Sequence, residues 1–179
     1  MIAYHVDRNN ALKEGNIIEL TKDPIKDQTG LLCNFLPHDG LSNHGWHYLI
    51  DYKIQNTSGN KTEYYIMEYE LELIRRAYFP NLISRFESFF AIPSIDEIDK
   101  WEGIFSENDT IWQIEFDESQ SIIRDSNLLI PGLDLQTHMF APISSFVNGY
   151  HYWSGVQSNN PRMELLIKPP IKIINQYHL

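Results

Sequence analysis

Ser84-Arg85-Phe86-Glu87-Ser88-Phe89-Phe90-Ala91-Ile92 opens with small hydroxyls and a cation and closes on an apolar run. Its second half, Ser88 to Ile92, reads as a strand. Upstream, Met67, Leu71, Ile74 and Tyr78 follow the i, i+4, i+7, i+11 spacing of one buried helical face, which places a helix from about Thr62 to Tyr78. Thr62 or Asn60 is the expected cap, and Pro80 marks the end. Downstream, Ser94 is the expected N-cap of a second helix, with Asp96 and Glu97 in the first turn, where carboxylates suit the helix dipole. Ile95, Ile98 and Trp101 form its apolar face.

Further out, strands frame the chain. Ile2 to Val6 reads as a short strand, and Gly15-Asn16 precedes a second apolar piece, Ile17-Ile18-Glu19-Leu20. Residues 21–45 hold Pro24, Gly30, Pro37, Gly40 and Gly45 among polar residues and read as loop. Thr110 to Phe116 alternates, with Ile111, Gln113 and Glu115 opposite Trp112, Ile114 and Phe116. Pro131-Gly132 marks a turn, and Pro142 to Trp153 reads as a short helix. Met163 to Ile167 and Ile171 to Ile174 are two strands separated by Pro169-Pro170. Strands at both ends with helices between them predict an α+β fold over one domain, residues 1–179, rather than a βαβ alternation.

Composition narrows the function classes. The 179 residues include abundant aromatics and an ordinary charged fraction, which excludes a disordered chain. A net charge of −10 with no basic run disfavours strong electrostatic binding of nucleic acid. Cys33 stands alone, so neither an intramolecular disulfide nor a cysteine zinc site forms, and a reducing, cytoplasmic setting is expected. The N-terminal residues lack a signal-peptide pattern, no apolar run has membrane-spanning length, and delivery by a specialised secretion system would leave no such mark.

The chain lacks a phosphate-cradling Gly-rich loop, a zinc-protease helix motif and a nucleophile elbow. Catalytic residues, if present, are dispersed. Three pieces stand out: Tyr4-His5-Val6 in the first strand, Ser84 to Ala91 leading into a strand and helix, and Glu164 opening Leu165-Leu166-Ile167. In this order they resemble the ADP-ribosyltransferase superfamily, notably bacterial members such as the rifampin-modifying enzymes and the DNA-targeting toxins. Tyr4-His5-Val6 with Ala11 to Ile18 looks like the family's first strand and turn, and Ser84 to Ala91 with a helix reaching Trp101 looks like its central strand and helix. Ser88-Phe89-Phe90 stands where the family has Ser-Thr-Ser or a lone Tyr. Arg162 replaces the second acidic residue of the arginine-specific toxins.

The resemblance implies two packed antiparallel-rich sheets forming an NAD cleft with flanking helices, and transfer of ADP-ribose from NAD to a protein, nucleic-acid or small-molecule acceptor. Glu164 would be the catalytic carboxylate, stabilising positive charge that develops on the ribose as the nicotinamide bond breaks. His5 would bond the adenosine-side ribose, and backbone groups of Val6 would hold the nicotinamide amide. Phe89 or Phe90 would stack on the nicotinamide, Ser88 would bond nearby, and Arg85 would meet the pyrophosphate. Glu164, at a strand start, is expected outside the core.

Plainer readings compete. The three Phe residues near position 88 are core aromatics by default, Arg85 a surface cation or a partner for Glu87, and His151-Tyr152-Trp153 packing residues. His38, His44 and His47 with Asp39 match no standard metal spacing and read as metal-free loop residues; a hydrolase using that loop is the weakest option. The main alternative to the transferase is a noncatalytic protein-binding module with the same fold.

Overall fold

The first strand, β1 (Ile2–Asp7), follows the β period: Ala3 is buried on one face, while Tyr4 and Val6 pack on the other. The computed structural model describes residues 1–22, 39–50, 61–101, 103–106, 108–134 and 137–177. Asn60, His38, Cys33, Pro24, Gly30, Pro37 and the last two residues lie outside that set.

Two antiparallel sheets organise the chain. In the first, β1 pairs with β4 (Thr110–Glu115), β4 with β9 (Ile171–Tyr177), and β9 with β2 (Ile17–Ile18). In the second, β8 (Met163–Ile167) lies between β3 (Phe89–Ala91) and β5 (Ser121–Asp125). A small hairpin of β6 (Leu133–Asp134) and β7 (Met139–Phe140) stands apart. Among the described residues three α-helices accompany them: α1 (Asn43–Leu49), α2 (Lys61–Tyr78) and α3 (Pro142–Ser154). The fold is mixed α+β with antiparallel sheets.

Strand alternation sorts the core. Leu165 and Ile167 of β8 join Ala3, Ile114 and Ile173 between the sheets, while Leu166 faces Leu71, Ile74 and Trp153 of the helices. The same period puts Glu164 on the helix side. Burying these aliphatic and aromatic side chains contributes about 1.5–3 kcal/mol each before conformational entropy is set against it.

The helix expected over 62–78 runs from Lys61 to Tyr78, with Met67, Leu71 and Ile74 buried as spaced. Tyr78 is 56% exposed, because the helix ends there and its last turn leaves the core. Thr62 sits inside the helix and does not cap it. The segment after Ser94 is a 3₁₀ helix, Ile95–Trp101, with the Ser94 hydroxyl accepting from the Asp96 N–H at 3.3 Å. Ile95, Ile98 and Trp101 face one apolar cluster as expected. Thr110–Glu115 is buried on both faces, since Ile111 packs in that cluster and Ile114 between the sheets.

The largest departure concerns residues 21–45. Asn43–Leu49 is helical, capped by the Ser42 hydroxyl, which accepts from the Gly45 N–H at 3.1 Å. This helix is docked on the 3₁₀ turn Arg85–Glu87 through the Phe86 carbonyl, which accepts from the Ser42 N–H at 2.9 Å and its hydroxyl at 3.1 Å. Gly45 makes the approach possible: a Cβ there would lie 2.1 Å from the Phe86 carbonyl oxygen. Gly45→Ala is therefore expected to lose about 1–3 kcal/mol of stability, because backbone must move to admit the methyl. Urea unfolding measures it, and a wild-type midpoint would contradict this docking.

Candidate functional site

Among the described residues the two sheets meet at a single backbone bridge. The Tyr4 N–H donates to the Ile92 carbonyl at 3.0 Å, and the Ile92 N–H to the Tyr4 carbonyl at 2.7 Å. Continued by one step, the ladder would join Val6 to Phe90. Instead the edges separate, and the His5 imidazole takes the Phe90 carbonyl at 2.7 Å from Nδ1. Antiparallel alternation turns the N–H and C=O of Tyr4 toward β3, so those of Val6 point into the split. Neither has a hydrogen-bond partner among the described residues.

A carbonyl only accepts, so His5 Nδ1 carries the proton and Nε2 is left with its lone pair. Burial, under a Phe89 ring 4.1 Å away, lowers the imidazole below its ordinary value; Arg8 adds to this, while the Phe90 bond and Asp7 oppose it. His5 is thus a neutral hydrogen-bond acceptor at pH 7.

Two adjoining cavities flank the split. The first, about 280 Å³, is lined by Leu12, Ile18, Ser88 and Phe89, on the side of β1 that faces the core between the sheets. The second, about 300 Å³, is lined by Tyr4, Arg85, Trp101, Phe105 and Glu164, on the opposite face. His5, Val6, Arg8, His44 and Phe90 border both. All seven residues expected at an NAD site therefore line one cavity or the other. His5, Val6 and Phe90 belong to both, Ser88 and Phe89 to the first, and Arg85 and Glu164 to the second.

Beneath the second cavity lies a buried ionic cluster. Arg85 donates from Nε and Nη2 to the two Glu68 oxygens, each at 2.8 Å. Its Nη1 donates to Glu164 Oε1 at 2.5 Å and to the Tyr152 hydroxyl at 2.6 Å. That hydroxyl donates in turn to Glu164 Oε1 at 2.7 Å. Glu164 Oε2 has no partner among the described residues and is the oxygen left for the cavity. The guanidinium carbon also lies 4.7 Å from the Phe90 ring centroid.

Burial alone would raise Glu68, but Arg85 and His44 outweigh it and hold that carboxyl far below the usual range. Burial would lower Arg85, and Glu164 and Glu68 instead push it up. Burial raises the Tyr152 hydroxyl well above its ordinary value, which keeps it a donor to Glu164. His44 Nε2 is 3.2 Å from Glu68 Oε2, a contact that helps hold the Glu68 carboxyl down.

A helix face builds this cluster. Glu68 and Glu72, one turn apart on α2, hold consecutive residues of the facing turn: Glu72 accepts from the Ser84 hydroxyl at 2.8 Å, and Glu68 grips Arg85. Arg75 and Arg76 close the second carboxylate, at 2.7 Å each.

Several assignments change accordingly. Arg85 is buried with four N–H bonds already made, so it positions Glu164 rather than meeting a pyrophosphate. Nor does it pair with Glu87, whose partner is Lys168 at 3.1 Å. The Ser88 hydroxyl donates to the Ser84 carbonyl at 2.8 Å and so stabilises the turn. Glu164 is inside, not outside, the core. Tyr152, Glu68 and His44 were not legible as site residues; the signal available was two glutamates on an otherwise apolar helix face. His44 and His47 lie on α1, and His38 lies outside the described residues. Among the described residues no group of three or more His, Cys, Asp or Glu is placed to hold a metal, and no helix is long and apolar enough to cross a membrane.

The profile of one family, described as "Protein of unknown function (DUF2441)", matches residues 3–179. The chain belongs to that family. No curated protein matches the chain. The DUF2441 match spans both sheets, both cavities and the whole ionic cluster, so the site is a property of the matched region and not of an appended segment.

Arg85→Gln would leave Glu68 and Glu164 facing each other in the interior. The expected loss is about 3–5 kcal/mol at pH 7. In the wild type, Glu68 is lowered on folding, so its contribution is full above its ordinary value of 4.5 and disappears as pH falls through the lowered folded value. In the variant the sign reverses for Glu68: without Arg85, burial works to raise its carboxyl, and the cost shrinks as it protonates. Urea unfolding at pH 7 and at about pH 5 should show the stability gap narrowing on the acid side. A gap that does not change with pH would contradict the ionic account.

Proposed function

We propose that this chain is an NAD-dependent ADP-ribosyltransferase, with its two sheets forming the split cleft of that superfamily. The observation that carries the reading is Glu164, fixed by Arg85 and Tyr152 through Oε1, unbonded at Oε2 among the described residues, and in the lining of a cavity bordered by His5, Val6 and Phe90. A carboxylate held still in a shielded site stabilises positive charge developing on a sugar without reorganising.

In this reading the nicotinamide half of NAD occupies the second cavity. The exposed Val6 N–H and C=O match the acceptor and donor of the carboxamide, and the Phe90 ring offers a stacking face. Phe89, on the other side of β1, supports His5 rather than the nicotinamide. His5 Nε2 accepts from a hydroxyl of the adenosine-side ribose. The bond from the ribose anomeric carbon to nicotinamide breaks, nicotinamide leaves with the bonding pair, and Glu164 Oε2 stabilises the cationic sugar. A nucleophile of a protein, nucleic-acid or small-molecule acceptor then bonds to that carbon and gives up its proton to solvent.

Nicotinamide release from NAD, with each acceptor class supplied in turn, tests the reading. Glu164→Gln keeps acceptors for Arg85 and Tyr152 but removes the charge, so turnover should fall about a hundredfold to a thousandfold while NAD affinity is largely kept. Because Glu164 is buried, the melting temperature of the variant is measured alongside. His5→Ala should weaken NAD binding first. Wild-type turnover retained by folded Glu164→Gln would reject the mechanism, and NAD binding without turnover by the wild type would favour the noncatalytic module.

A further inference from the structure

The two cavities lie on opposite faces of β1, and the strand ends between them. Each is near the lower limit of the roughly 300–1,000 Å³ of a pocket for a drug-sized ligand. The border that the two share, His5, Val6, Arg8, His44 and Phe90, runs along the split and past the end of β1. The residues there are Asp7, which closes the strand, and Arg8, which starts the turn.

Their environments differ. Asp7 is buried, and its carboxylate is already used: Oδ1 accepts from the Asn9 N–H at 3.1 Å and Oδ2 from the Leu12 N–H at 2.7 Å. Arg8 is exposed, borders both cavities, and has no ion pair or hydrogen bond among the described residues. Its contact is with the Phe105 ring, whose centroid is 5.9 Å from the guanidinium carbon. Arg85, the other arginine bordering a cavity, is committed to Glu68, Glu164 and Tyr152. In a chain of net charge −10, an unengaged guanidinium at this junction is the local feature that favours an anion.

We propose that Arg8 recognises the diphosphate bridge of a two-lobed nucleotide ligand, held where the two cavities join at the end of β1. The inference rests on the transferase reading and adds to it the residue that holds the diphosphate: a nucleoside half lies in each cavity, with the charged bridge over Arg8. A guanidinium holds phosphate oxygens by two parallel N–H bonds, which lysine does not reproduce. Glu19, which borders only the first cavity, is then left for the neutral nucleoside half.

Isothermal titration calorimetry on the intact protein separates the outcomes, with NAD, ADP-ribose, ADP and adenosine as probes. Arg8→Gln should weaken NAD, ADP-ribose and ADP by about tenfold, the low end for a charge-assisted bond because Arg8 is exposed. Adenosine should bind both proteins alike. Added salt should weaken ADP-ribose binding to the wild type more steeply than to Arg8→Gln. Arg8→Lys should recover part of the loss. Unchanged NAD and ADP-ribose affinity in Arg8→Gln would overturn the role of Arg8 and leave the transferase reading standing. Equal weakening of adenosine would also overturn it, as the side chain would then be shaping the cavity. A wild type that binds neither NAD nor ADP-ribose would remove the transferase reading and this inference together. Arg8 makes no hydrogen bond or ion pair among the described residues, so folding should survive its replacement; matching melting curves verify this.

Discussion

Arg85 joins three parts of the chain that are distant in sequence: Glu68 on α2, Tyr152 on α3 and Glu164 on β8. Each partner is buried, so these charges are answered chiefly by one another, with Glu164 Oε2 alone left unbonded among the described residues. Taking charges inside is unfavourable unless every one is paired and hydrogen-bonded, and here the guanidinium satisfies both carboxylates while Tyr152 fills a remaining position. The apolar contacts between helices and sheet are permissive about exact placement. The ionic cluster is not, because its bonds tolerate only small displacements. It therefore sets where α2 and α3 lie against β8, and with them the orientation of the Glu164 carboxylate.

The split between the sheets is the second organising feature. A continuous ladder from β1 to β3 would have consumed the main-chain groups of Val6 and closed the space beside them. One bridge, Tyr4 to Ile92, holds the edges together, and the His5 side chain takes over the next carbonyl. The separation exposes backbone polarity at Val6 without an open sheet edge along the whole strand. Alternation then divides the neighbouring side chains, with Phe89 under His5 on one face and Phe90 beside Glu164 on the other. Adjacent aromatics thus have different surroundings, and only Phe90 shares a cavity with the carboxylate.

Much of the fold was legible because it is periodic. The helix at Lys61–Tyr78, the terminal strands and the strand at Thr110–Glu115 all show their spacing in the sequence. Other elements were not, among them the short hairpin of β6 and β7, helix α1 and strand β5. Helix α1 reads as loop because Gly45, His44 and His47 are poor helix formers, and its stability comes from docking on the Phe86 carbonyl. Strand β5 was missed because Ser121–Asp125 has few apolar residues and one of them, Ile123, faces outward. At the site, residue order pointed to His5, Val6, Phe90 and Glu164, which the fold gathers around the split. Arg85 was singled out with the wrong partner, since a buried salt bridge between residues 79 apart leaves no periodic mark.

The arginine cluster also bears on how this sequence can change by descent. Replacing any one of Glu68, Arg85 or Glu164 leaves an unbalanced interior charge, while replacing all of them with apolar side chains of matching volume can be close to neutral. The positions are energetically coupled, and their substitution effects do not add. A chain changed at only one of them is expected to be less stable than one changed at all three, so a single substitution opens no gradual route between the ionic and the apolar interior.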